Sequence, residues 1–196
     1  MKACSIFVAF LFYSYAYCQI DELSLAYERY TLPNGLEVVL QSDSSAKTTS
    51  VEFWIKSGTS MDKPGQYGFQ HFFEHVLPTS PMDSVKRRKL FKEFYDNSNA
   101  QVKKDFSRFY LEVKPKGLEL ALEWTSGRLK ADPERITEKR VEHERKRVLA
   151  EIKRNAIYPK WSAKGSLILY EGTFGKVHPY AAYGYGTIAK NEQFSI

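Results

Sequence analysis

Apolar positions fall into short runs with two different periods. Residues 27–41 read Tyr-Glu-Arg-Tyr-Thr-Leu-Pro-Asn-Gly-Leu-Glu-Val-Val-Leu-Gln, two alternating or apolar stretches around Pro33-Asn34-Gly35. That turn signal between strand-like runs predicts a hairpin. Val51-Glu52-Phe53-Trp54-Ile55 predicts a further strand, and residues 106–113 alternate in the same way. Elsewhere the period is helical. Residues 68–77 lead this group, followed by 83–95, where Val85, Leu90, Phe91 and Phe94 share one side. A helix is predicted over 117–130 from Leu118, Leu120, Leu122 and Trp124, and Asp132-Pro133 breaks it. Residues 137–156 predict a long, charge-rich helix. Strands come before and between the helices, with no tandem repeat or low-complexity linker. The expected class is α+β, a mostly antiparallel sheet covered by helices on one side.

The first eighteen residues stand apart. After Met1-Lys2, residues 3–17 are apolar and aromatic, too short for a comfortable membrane span. They fit a signal peptide over 1–18, with Ala16 and Cys18 at the −3 and −1 positions of a cleavage site; an uncleaved anchor is the alternative. The expected mature domain is 19–196, exported to a periplasmic or extracellular location, with no stable membrane span once the signal is cleaved. Cys4 and Cys18 are the only cysteines, so the mature chain would hold no disulfide and no cysteine-ligated metal. At 43% apolar and 15% aromatic content, the chain can bury a sizeable core without either. The net charge of +6 is spread among acids, and Lys86-Arg87-Arg88-Lys89 reads as a solvated helix face. No nucleic-acid reader motif accompanies it, so no nucleic-acid partner is expected.

Chemistry concentrates in Gly68-Phe69-Gln70-His71-Phe72-Phe73-Glu74-His75-Val76-Leu77. On a helix, His71 and His75 lie one turn apart on the same face and can reach one metal ion. Glu74, at i+3 from His71, points to the same side and can touch a water on that metal. H-x-x-E-H is the reversed form of the H-E-x-x-H zinc-site motif. Two histidines on a partly buried helix with a solvated glutamate is the other reading of five residues. Five apolar neighbours favour the metal, because unpartnered polar groups are costly to bury there.

A third ligand is sought in the long helix. Val141, Glu144, Val148, Glu151, Ile152 and Asn155 recur at helical spacing, which puts Glu144 and Glu151 on the apolar stripe. Arg145, Lys146, Arg147 and Lys153 fall elsewhere and are expected in solvent. Two readings of the stripe carboxylates stand: ion pairs with nearby basic residues, or metal ligation by Glu151 with Glu144 supporting it.

Leu32-Pro33-Asn34-Gly35-Leu36-Glu37-Val38-Val39-Leu40, the H-x-x-E-H helix, Asn99-Ala100, Glu144 and Val148-Leu149-Ala150-Glu151-Ile152 together carry a family resemblance. They resemble the N-terminal part of pitrilysin/insulinase-family zinc peptidases, the group that includes the mitochondrial processing peptidases. The 80-residue step from His71 to Glu151 and the seven-residue step from Glu144 to Glu151 resemble the family's spacing. His178-Pro179-Tyr180 and Gly186-Thr187 echo a downstream segment, so the likeness runs from about residue 27 to the end.

The resemblance implies a LuxS/processing-peptidase-like fold and one Zn2+ per chain, held by His71, His75 and Glu151. It implies Glu74 as general base, Glu144 as a support that orients the ligands, and Asn99 and Ala100 on a strand edge that binds substrate by main-chain pairing. The implied activity is that of a zinc metalloendopeptidase acting on peptides or small unfolded proteins. The alternative is a non-catalytic peptide-binding or assembly subunit of the same fold. Family members pair two homologous halves, so a second homologous domain or subunit is an expected partner and the domain is expected to be incomplete at its C-terminal end. His178 is read as structural. The chain departs from the family pattern at Asp96-Asn97-Ser98, at Gln101-Val102-Lys103-Lys104 and at Pro78-Thr79-Ser80-Pro81, changes that bear on substrate fit.

Overall fold

A computed structural model describes residues 26–77, 80–130, 132–157, 161–181, 184 and 192–193. The expected signal peptide, both cysteines and Gly186-Thr187 lie outside the described residues. No helix among the described residues is long and apolar enough to cross a membrane.

The chain forms two compact units, residues 1–46 and 47–196. The first contains the expected hairpin. Strands β1 (Glu28–Thr31) and β2 (Glu37–Leu40) pair antiparallel, with Thr31 opposite Glu37. Gly35 takes φ +84, a left-handed turn conformation that an L side chain rarely adopts. Asn34 Oδ1 accepts from Leu36 N, and Leu36 O accepts from Leu32 N, closing the turn.

The second unit is built on a three-stranded antiparallel sheet in the order β3-β5-β4. Its members are β3 (Thr49–Ile55), β4 (Tyr95–Val102) and β5 (Ser107–Val113). In the central β5, Ser107, Phe109, Leu111 and Val113 are buried and the residues between them are not. This is the period-2 signature of a sheet with one covered face. Phe53 and Phe109, directly opposite in register, stack with ring centroids 4.6 Å apart. The other face carries Glu52, Trp54 and Arg108. Arg108 forks onto the Glu52 carboxylate at 2.6 and 2.9 Å.

Among the described residues five helices accompany the sheet, and their packing decides which of them cover it. In chain order they are α1 (Phe69–Val76), α2 (Ser84–Lys89), α3 (Leu118–Leu129), α4 (Glu138–Ile157) and α5 (Trp161–Phe174). Val51, Leu90, Leu111, Val113 and Ala121 form one core cluster beneath α3, joined by Trp124. Phe53, Leu77 and Phe109 form a second, and Phe72, Val76, Val141, Val148 and Ile152 a third between α1 and α4. At α3, a Cβ on Gly127 would stand 2.2 Å from Ser80 Oγ, so only glycine permits that approach.

The layered α+β class expected from the pattern is the one observed. Two elements differ. The helix expected over 83–95 stops at Lys89, continues as a π-helical turn at Leu90–Phe94, and gives way to β4 at Tyr95. Pairing decides this boundary: Tyr95 lies opposite Val113, and Lys114 N donates to Phe94 O. The sheet takes Tyr95, the last residue of the expected helix, while Phe91 and Phe94 stay in the π-helical turn. The helix α5 was not expected from the apolar pattern.

Candidate metal centre

Helix α1 is only eight residues long, too short to be stable alone in water. Its ends are held from outside. At the N-terminus Gly68 turns at φ +98 and offers no side-chain cap. Asp62 does the capping instead: its carboxylate accepts from Gly68 N at 2.8 Å and Gln70 N at 3.0 Å. At the C-terminus Arg140, from α4, donates to the carbonyls of Val76, Leu77 and His75.

Between those ends the histidines and the long helix meet. One ligand atom from each of His71, His75 and Glu151 lies within 4.8 Å of the others. Glu151 Oε2 is 3.8 Å from His71 Nε2 and 3.5 Å from His75 Nε2. The two imidazoles are nearly perpendicular, with centroids 4.9 Å apart. A tetrahedral zinc with bonds of about 2.0–2.2 Å holds its ligand atoms about 3.3–3.6 Å apart. The His75–Glu151 separation already meets that spacing, and the His71–Glu151 separation exceeds it by a few tenths of an ångström. Two imidazoles and one carboxylate also form a donor set that suits zinc. The chemistry of the donor set fits the ion, and the ligand atoms, up to 4.8 Å apart, would draw in by about an ångström to hold it.

The other nitrogen of His75 is engaged as well. Nδ1 lies 3.7 Å from Glu144 Oε2, and Glu144, only 5% exposed, accepts from Arg147 at 2.8 Å. Both readings of the stripe carboxylates are thus represented: Glu144 pairs with a basic residue and also faces the histidine. Arg147 stays largely in solvent as expected, with its side chain 61% exposed, while donating to the buried carboxylate. Arg145 departs from that expectation, with its guanidinium over the Phe72 ring at 5.4 Å and its side chain 15% exposed.

The electrostatics separate the four titratable groups. His71 is held well below the usual imidazole range by burial and by neighbouring His75, against the pull of Glu151. His75 is opposed by burial, but its contact with Glu151 and the charges of Glu74, Glu151 and Glu144 raise it. Glu151 is lowered, chiefly by His75, against the cost of burial. Glu74 is raised by burial and by the charge of Glu151, with His75 and Arg128 pulling the other way. The two carboxyls are thus shifted in opposite directions, Glu151 downward and Glu74 upward.

Glu74, His75, Arg128, Arg140, Glu144 and Arg147 are among the residues lining a cleft of about 290 Å³. The Arg128 guanidinium packs over Phe109 at 4.9 Å and Phe53 at 5.7 Å, and its buried Nε has no hydrogen-bond partner. Asn99 and Ala100 lie on β4, which pairs on one side only among the described strands. Asn99 Oδ1 accepts from Ala100 N at 2.9 Å, and Ala100 packs against the Phe53–Leu77–Phe109 cluster. His178 Nδ1 accepts from Tyr180 N and its ring stacks on Phe174, in keeping with a structural part.

Sequence reasoning missed Asp62, Arg128 and Arg140. Arg140 carried a signal, since it precedes Glu144 by four residues and so shares its helix face. Asp62 carried none, because it reaches α1 across a loop.

The insulinase family (peptidase family M16) matches residues 37–167. The chain is 31% identical over 125 residues to the Arabidopsis thaliana protein named "Probable mitochondrial-processing peptidase subunit beta", covering 62% of this chain and 23% of that protein. It is 26% identical over 98 residues to an uncharacterized zinc protease of Bacillus subtilis, covering 49% of this chain and 24% of that one. The crystal structure of pitrilysin has the same fold, with a TM-score of 0.69 and 24% identity over 87% of this chain and 18% of that one. The chain therefore spans about a quarter of the length of these two curated relatives. With more than half of its length matched to one family, and with that family's fold around a histidine–histidine–glutamate cluster, the chain belongs to the insulinase peptidase family.

Proposed function

We propose that this chain carries the metal-binding part of a zinc metalloendopeptidase that hydrolyses peptide bonds in peptides or small unfolded proteins. The observation that carries this is the meeting of His71, His75 and Glu151 beside Glu74, whose carboxyl is shifted toward accepting a proton. The names of the relatives, zinc protease and processing peptidase, support the same class.

His71, His75 and Glu151 hold one Zn2+, which supplies Lewis acidity and brings the pKa of its water toward neutrality when bound. Glu74 takes a proton from the attacking water onto its carboxylate and returns it to the nitrogen of the leaving amine. Glu144 faces His75 Nδ1 and fixes which nitrogen turns toward Glu151. The edge of β4 at Asn99 and Ala100 aligns the substrate by main-chain pairing, once Ala100 N exchanges its bond to Asn99 for one to the peptide. A second homologous half closes over the substrate. Residues 1–18 direct export, and N-terminal sequencing of the secreted protein tests that assignment.

Cleavage of an unstructured peptide, assayed with the second half supplied, tests the activity. Zinc-loaded wild type cleaves, Glu74→Gln loses at least about a hundredfold in kcat, and chelation abolishes the reaction. Undiminished cleavage by Glu74→Gln contradicts the reading.

A further inference from the structure

We propose that Arg140 is a positioning residue for the metal centre: it sets the register of α4 against α1, and through it the meeting of His75 with Glu151. The inference rests on the zinc reading above and adds a residue outside the ligand set.

The C-terminus of α1 creates the need. The last four carbonyls of a helix have no partner within it. Leu77 N bonds back to Phe73 O, but Pro78 follows and has no N–H to continue the ladder. Arg140 meets three carbonyls at this end. Its Nε is 2.9 Å from Val76 O, and one terminal nitrogen is 2.9 Å from Leu77 O and 3.5 Å from His75 O. The last of these carbonyls belongs to a metal-site histidine. A cation at a helix C-terminus is also favourably placed against the helix dipole.

Arg140 is the first of three polar rungs joining the two helices. Glu144, one turn along α4, faces His75 Nδ1, and Glu151 faces Nε2 of both histidines. Between these rungs Val141, Val148 and Ile152 pack on Phe72 and Val76. Apolar packing of this kind tolerates small slides. A planar guanidinium bonded to successive carbonyls does not, because a shift of one residue misses them. The arginine fork therefore converts a greasy helix contact into a fixed alignment, and that alignment determines where Glu151 arrives.

The test uses zinc and Co2+ binding by the intact chain, with Arg140→Gln, Arg140→Lys and the exposed control Lys146→Gln. Arg140→Gln is expected to weaken zinc binding about 10–100-fold, the usual effect of losing a group that orients ligands. Its Co2+ complex should lose visible absorption as the tetrahedral set loosens, and zinc should raise its Tm less than it raises that of wild type. Arg140→Lys keeps the charge but not the fork, and should fold, fall between the two in affinity and show a perturbed Co2+ spectrum. It also decides the matter should Arg140→Gln not fold. Lys146→Gln should match wild type. Unchanged affinity and spectrum in either Arg140 variant, even with a lowered Tm, would make Arg140 a merely structural cap and overturn the proposal. Failure of the wild-type chain itself to bind either metal would overturn the zinc reading beneath it.

Discussion

His75 Nε2 lies 3.5 Å from Glu151 Oε2, across 76 positions of sequence. Burial lowers the His75 pKa, but this contact and the charges of Glu74, Glu151 and Glu144 prevail and raise it. Zinc takes the neutral imidazole, so below that raised pKa binding displaces a proton from His75. Zinc affinity should therefore rise with pH until the raised pKa of His75 is passed, then level off. Calorimetric titrations in buffers of different ionisation enthalpy should detect proton release at pH 6 and little at pH 9. Equal release at both would show that His75 is not the group displaced.

Asp62 supplies the N-terminal cap that Gly68 lacks. Asp62→Ala leaves the amides of Gly68 and Gln70 without their acceptor and should cost about 1–2 kcal/mol, read from the urea midpoint. Because the frayed turn leads directly to His71, zinc affinity should fall as well. A variant of unchanged stability would mean that water replaces the carboxylate without loss.

Phe72 is fully buried at the centre of the α1–α4 contact. Phe72→Ala should destabilise the chain by about 3–5 kcal/mol, and zinc should recover part of the lost Tm by binding only the folded state. A cost under about 1 kcal/mol would mean that this contact contributes little.

The Glu52–Arg108 fork on the other sheet face gives the pH dependence a second component. Burial works against the Glu52 carboxylate, but its hydrogen bonds from Arg108, Trp54 and Ser50 prevail and lower its pKa. A lowered acid contributes stability above its unfolded pKa, and loses it as pH falls through the folded value. Wild type should therefore exceed Glu52→Gln in stability at pH 7, with the gap narrowing below about pH 4.5. A gap constant from pH 7 to pH 3 would exclude this linkage.

Most of the frame was legible because it follows from period. The alternation of Phe109, Leu111 and Val113 marked the central strand, and Val141, Val148 and Ile152 marked the buried stripe of α4. The same periodicity raised Glu151 as a ligand candidate, since a carboxylate on an apolar stripe calls for a partner. What pattern could not reveal was competition and long reach. Helical spacing claimed Phe94 and Tyr95, yet pairing with Val113 drew Tyr95 into the sheet. The loop-borne cap from Asp62 joins residues that sequence spacing does not bring together, and spacing put Arg140 on the Glu144 face without showing which carbonyls it reaches.

Zinc content of the purified chain, for wild type beside Glu151→Gln and Glu74→Gln, tests the central claim most directly. The account predicts one zinc per chain in wild type, strongly reduced occupancy in Glu151→Gln, and full occupancy in Glu74→Gln. A folded wild-type chain without zinc, or equal occupancy in all three, would contradict it.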